Sequence, residues 1–224
     1  MDQPFSPRGL RRPSFARPFL LVCAFRPFGG RGRNESAEAL AALRLPPAVR
    51  RRVRTLVLPV SWRRAVPRLA RELDRPGLFG VVLVGEAGGR TVVTAETWGR
   101  NAAARLRDED GRLPPGPRLA RAGAVRRKAT WRPREVVTVL RRAGIPAAAS
   151  RDAGGFLCNA VLYATLERLS ARRPAIPVTF LHLPIPGAGA RADLRPAHLA
   201  RALSAVVLAA ATRFAPRCAP MPAR

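Results

Sequence analysis

The sequence predicts an α/β domain on a mostly parallel sheet, with helices on both faces. Short apolar runs alternate with stretches of helical spacing along most of the chain, which is the pattern of strand, crossover helix and parallel strand. The 224 residues, 47% of them hydrophobic, suit one compact domain. A chain of this length buries roughly 70% of the surface its unfolded form exposes, so a core forms without disulfides or structural metals. Arg and Pro interrupt every apolar run before the roughly 18 to 20 residues a bilayer span needs, so a soluble protein is expected.

The elements follow in order. Residues 1–18 are rich in Pro and Arg and read as a loosely ordered tail. Arg11 and Arg12 precede an apolar run as in an export signal, but Pro13 and Pro18 break the approach and Arg26-Pro27 stands where small residues belong. Strands are expected at Phe19–Phe25, Thr55–Val60, Val81–Val84, Ala147–Ser150 and Pro177–Leu183. Helical spacing marks Ser36–Leu43, Trp62–Leu73, Pro133–Ala143, Cys158–Ser170 and Pro196–Phe214. Asn34 or Ser36 can cap the first helix, Pro133 and Pro196 suit first-turn positions, and Gly144 before Ile145-Pro146 is a stop signal. Between Ala102 and Ala129 there is no clear period but many Gly and Pro, as in a lid, an interaction arm or a disordered segment. Residues 215–224 form a C-terminal tail.

Forty-one Lys and Arg against 14 Asp and Glu leave a formal net charge of +27. Such a charge attracts phosphate. Lys128 is the only lysine, however, and the arginines are scattered from Arg8 to Arg224 without interleaved aromatics or a finger or helix-turn-helix pattern. A compositional bias toward Arg, Ala and Pro over a conventional fold is the simpler reading, and nucleic acid is not the expected partner. Cys23, Cys158 and Cys218 are odd in number and widely spaced, which fits neither a disulfide scaffold nor a CxxC metal site, and points to a reducing compartment.

Three residues carry candidate chemistry. Cys158 lies after Gly154-Gly155-Phe156 at the start of a helix, where unpaired backbone N–H groups and the positive dipole end favour thiolate over thiol. The alternative is a small buried hydrophobe. His182 sits near the end of a strand, before Pro184, at the edge where open α/β sheets place ligands. His198, in the last helix among polar and basic neighbours, reads as a surface residue. A nucleophilic cysteine needs a base and a third group that fixes the imidazole tautomer. Glu96 can supply that group, or it is a solvated loop carboxylate.

Four blocks in order resemble the pyroglutamyl-peptidase I (pyrrolidone-carboxylate peptidase) family: Phe25-Arg26-Pro27-Phe28-Gly29-Gly30 with Asn34 and Ser36; Gly85-Glu86-Ala87-Gly88-Gly89-Arg90 with Thr94-Ala95-Glu96; Ala143 to Ala147 leading into Ala153-Gly154-Gly155-Phe156-Leu157-Cys158-Asn159; and Phe180-Leu181-His182-Leu183-Pro184. The resemblance covers most of residues 19–214. It implies a single doubly wound, three-layer α/β/α domain, a cytoplasmic location and assembly into homodimers or homotetramers, which repulsion at +27 opposes unless the arginines avoid the contacts.

It also implies a cysteine exopeptidase that removes N-terminal pyroglutamyl residues from peptides without metal or organic cofactor. Cys158 is then the nucleophile, His182 the base and acid, and Glu96 the orienting carboxylate. Phe25, Phe28 and Phe156 line the lactam pocket, with Asn34 as a polar residue there. A divergent member that only binds a lactam or peptide end is the alternative. Glu86 stands where the family usually has glutamine, a negative charge beside the pocket unless an arginine such as Arg90 pairs with it. Glu35 replaces a usual proline. In the segment Arg100 to Leu106 the family's oxyanion arginine matches Arg105 only with one residue deleted.

Overall fold

The computed structural model describes residues 17–216. Residues 1–16 of the tail expected at 1–18, and Cys218 with the rest of residues 217–224, lie outside them. The elements are β1 (Phe19–Phe25), α1 (Glu35–Ala41), α2 (Pro47–Arg50), β2 (Val53–Leu58), α3 (Ala65–Leu73), β3 (Leu78–Ala87), β4 (Val93–Glu96), β5 (Trp98–Arg100), β6 (Arg126–Lys128), α4 (Pro133–Arg142), β7 (Ala147–Ser150), α5 (Leu157–Leu169), β8 (Val178–Pro184) and α6 (Pro196–Phe214). Six strands form one sheet in the order β2-β1-β3-β8-β4-β7. Every neighbouring pair is parallel except β4 with β8.

Alternation along β1 shows the layers. Leu20, Val22 and Ala24 join a core with side chains of α1, α4 and α6, whereas Leu21, Cys23 and Phe25 join a second core with α3 and α5. A strand buried on both faces reads as a continuous apolar run, which is how β1 stands out in the sequence. The result is the expected three-layer α/β/α arrangement with a mostly parallel sheet. Among the described residues no helix is long and apolar enough to cross a membrane.

Caps fall where the local chemistry puts them. Asn34 is the N-cap of α1 and accepts from the Ser36 N–H at 3.0 Å. Proline opens both α4 and α6, and Gly144 takes φ +72 where α4 stops. His198 is part-exposed and accepts from the Arg195 N–H at the start of α6.

Some boundaries differ from expectation. The strand expected at Thr55–Val60 is Val53–Leu58, the short strand at Val81–Val84 runs from Leu78 to Ala87, and the helix expected from Trp62 begins at Ala65. β4, β5, β6 and α2 are additional; each has three or four residues, too few for a period to show.

The span 102–129 is held by side chains. Asn101 donates to the carbonyls of Ala120 and Gly123 and accepts from the Ala120 N–H. Tyr163 Oη donates to Ala124 O, and Asp108 accepts from the N–H groups of Trp62, Asp110 and Arg112. Burial pushes the Asp108 carboxyl upward, but those backbone donors outweigh it and leave it below the ordinary carboxylate value.

Candidate active site

Two strand ends and one helix start meet at the site. β3 and β8 are paired with Gly85 opposite His182, and β4 lies on the other side of β8 with Thr94 opposite His182. The imidazole therefore sits between two strands near the carboxyl end of β8, against the Phe180 ring at 4.8 Å between centroids. Its Nδ1 is 2.8 Å from Glu96 Oε1. Cys158 also acts on the ring, and both its charge and a side-chain hydrogen bond favour the protonated imidazole.

Cys158 is the second residue of α5, a free and partly exposed thiol. Its position depends on a glycine. A Cβ on Gly85 would lie 2.7 Å from Sγ and 3.0 Å from the Phe180 ring, so any side chain there displaces the sulfur. Phe156, the N-cap of α5, makes no side-chain cap, which leaves the first N–H groups of the helix without a side-chain acceptor.

Glu96 is fully buried, not a solvated loop carboxylate. Besides the imidazole, its Oε1 accepts from Thr94 Oγ1 at 3.0 Å and from Arg90 Nη2 at 3.3 Å. The same arginine nitrogen donates to Asp152 O at 2.6 Å, tying the loop before α5 to the carboxylate. Burial alone would drive His182 toward its neutral form. The charge and hydrogen bond of Cys158, joined by those of Glu96, outweigh it and carry the imidazole from 6.5 to about 9. The arrangement favours a protonated ring.

Aromatic rings cluster at the start of α5. Phe156 packs on Phe28 at 5.5 Å and meets Trp62 edge-on at 5.2 Å. Trp62 also borders a cavity of about 450 Å³ between α3 and α5, roofed by Pro115 and Leu119. Phe25 is buried in the α3–α5 core, and its N–H donates to Ser36 Oγ. Asn34 is buried with both ends of its amide engaged: Nδ2 donates to Arg26 O, and Oδ1 accepts from Ser36 N–H and Oγ. Arg105 is exposed, without a hydrogen bond or ion pair among the described residues, while its neighbour Ala104 donates to Gly155 O at 2.8 Å.

The expectation for Glu86 needs correction. Successive side chains of a strand point to opposite faces, and Gly85 faces Cys158, so Glu86 faces the α1 side. Its partner is Arg31 at 3.1 Å, not Arg90, which is bound to Glu96. Thr94 and Trp62 were not anticipated. Thr94 had a signal, because two residues before Glu96 on a strand is the same face. Trp62 is placed by Asp108 and by the Leu106 carbonyl that accepts from its Nε1 at 2.8 Å, contacts that no local pattern announces.

A family model described as pyroglutamyl peptidase matches residues 19–212. The chain belongs to the pyroglutamyl peptidase family. The pyrrolidone-carboxylate peptidase of Streptomyces coelicolor is 34% identical over 200 residues, covering 86% of this chain and 91% of that protein. That of Alkaliphilus oremlandii is 32% identical over 167 residues, 74% and 78% of the two chains. The crystal structure of pyroglutamyl peptidase I from Bacillus amyloliquefaciens superposes with a TM-score of 0.75 at 26% identity, covering 88% of this chain and 98% of that one. Family membership makes this chain a cysteine exopeptidase of the pyroglutamyl peptidase I type.

Proposed function

We propose that this peptidase removes the N-terminal pyroglutamyl residue from peptides, with Cys158 as nucleophile, His182 as general base and acid, and Glu96 as the residue that orients the imidazole. The observation that carries the reading is the 2.8 Å contact of Glu96 Oε1 with His182 Nδ1, on an imidazole whose proton Cys158 also favours. A cysteine paired with an imidazole whose tautomer a buried carboxylate fixes is the arrangement nucleophilic acyl transfer needs. It supports turnover over the binding-only alternative.

In this reading the sulfur attacks the pyroglutamyl carbonyl and a thioester forms as the C–N bond breaks. His182 gives its proton to the departing amine, then takes one from the water that hydrolyses the thioester. The free N–H groups at the start of α5 are donors for the oxyanion, a contribution of a few kcal/mol in comparable sites. Arg105 remains the candidate guanidinium donor on the neighbouring segment. Phe25, Phe28 and Phe156 suit the flat, uncharged lactam, for which contact area matters more than charge. A cytoplasmic location and a homo-oligomer complete the proposal; free Cys23 and Cys158 fit a reducing compartment.

Release of a chromophore from a pyroglutamyl amide tests it. Cys158→Ala is expected to lower kcat by at least about a thousandfold. Equal rates from both proteins would end the proposal.

A further inference from the structure

The loop between β1 and α1 carries Phe28, and little in the loop itself holds it. Residues 27–32 include Pro27 and three glycines, two of them at positive φ with open space around them: Gly29 at +67 and Gly30 at +75. One internal backbone bond, Arg31 N to Phe28 O, is long at 3.4 Å. The two ends are fixed, by Arg26 N to Leu58 O and by Asn34. One carboxylate on β3 bonds both the loop and the start of α1. Glu86 accepts from Arg31 Nη1 at 3.1 Å with one oxygen and from the Glu35 N–H at 2.8 Å with the other.

Resting on the proposed lactam site, we infer that Glu86 and Arg31 form a latch that positions Phe28 for substrate binding. The end of β3 then serves both sides of the sheet. Gly85 gives the Cys158 sulfur its space on the α5 side, and Glu86, one residue on, fastens the loop on the α1 side. Phe28 reaches back to Phe156, two residues before the sulfur, so the position of the loop becomes the position of an aromatic wall. Glu86 touches neither the sulfur nor the imidazole in this arrangement; it is a positioning residue.

Neighbouring charges favour a closed latch. Glu35 is buried with its Oε2 unpartnered. Burial raises its carboxyl above the ordinary value, and the Glu86 charge pushes the same way against Arg33 and Arg31. Arg33 and Arg31 are both near these acids, and Arg31 is the one bonded to Glu86. A half-buried, charge-assisted contact of this kind is stronger than a surface ion pair.

The test uses the full chain with Arg31→Ala as the lead variant and Glu86→Gln as the conservative one. Arg31→Ala should raise KM for a pyroglutamyl amide about tenfold with kcat within about twofold, because a wall is displaced and not the reacting groups. Glu86→Gln, which keeps one acceptor oxygen, should fall between. In a Phe28→Ala background, Arg31→Ala should change KM no further, since the latch acts through that ring. Amide exchange of residues 28–35 should accelerate in both latch variants, and this readout needs no turnover. Unchanged exchange refutes the latch. Faster exchange with unchanged KM, or an undiminished effect without Phe28, refutes its role in binding. No turnover in the unsubstituted chain would sink the substrate reading, and with it this role, while exchange still decides whether the latch exists.

Discussion

Removing the sulfur should lower the pKa of the imidazole. An imidazole carried from 6.5 to about 9 holds its proton more tightly by about 3 kcal/mol. Burial, the largest influence, acts against that gain, and Cys158 contributes ahead of Glu96 in overcoming it. In Cys158→Ala, burial faces the Glu96 carboxylate alone, and the ring should titrate clearly below about 9. The folded value lies above the ordinary one, so the fold favours the protonated ring. Its contribution is complete below pH 6.5 and disappears as pH climbs through about 9, and turnover that needs a proton on His182 should fall on that alkaline limb. Nitrogen-detected NMR is a simple assay, since the chain has only two histidines. If His182 still titrates near 9 in the Cys158→Ala protein, the pairing of imidazole with sulfur is wrong.

Gly85→Ala should separate chemistry from folding. Its methyl would lie 2.7 Å from the Cys158 sulfur, and shifting a nucleophile by about 1 Å costs roughly a hundredfold in kcat; a kcat within about threefold of the parent would show that the sulfur has room to spare. Asn159→Ala should act on stability instead. The fully buried amide accepts from Arg100 N–H and donates to the carbonyls of Arg100 and Ala102, so urea unfolding should show a loss of about 2 to 4 kcal/mol. A change below about 0.5 kcal/mol would mean that the 100–102 segment is held by something else.

How much could be read from the chain depended on whether a signal was local. β1, β7 and α6 have the expected bounds, because an uninterrupted apolar run, a short strand between stop signals and a proline-opened helix are all written in neighbouring residues. Glu96, Cys158 and His182, the residues proposed for catalysis, stand out by residue type in a recognisable context. Their surroundings were less accessible. The hydrogen bond of Arg90 to Glu96 links residues six apart across a glycine turn, and Glu86 turned out to face away from Cys158 because strand pleat, not sequence proximity, decides the face. The span 102–129 looked structureless for a similar reason. Its order comes from Asn101, Asp108 and Tyr163, single side chains that grip backbone groups far along the chain and leave no period behind.

In a chain with a net charge of +27, carboxylates are scarce and their placement is informative. Among the described residues every one except Glu35 and Asp108 is ion-paired. Several pairs are on exposed faces, where each contributes on the order of 0 to 1 kcal/mol. Those near the site are different in kind. Glu96 is buried with the imidazole and Arg90, Glu86 holds the loop that bears Phe28, and Glu109 and Asp110 bind Arg64 beside Trp62. Arginine supplied in excess makes a partner available wherever a carboxylate appears, so the fold needs only to place the acid. Exchanging exposed arginines other than Arg31, Arg64 and Arg90 for neutral residues should therefore leave the site intact, whereas moving one of these carboxylates disturbs either the imidazole or an aromatic wall.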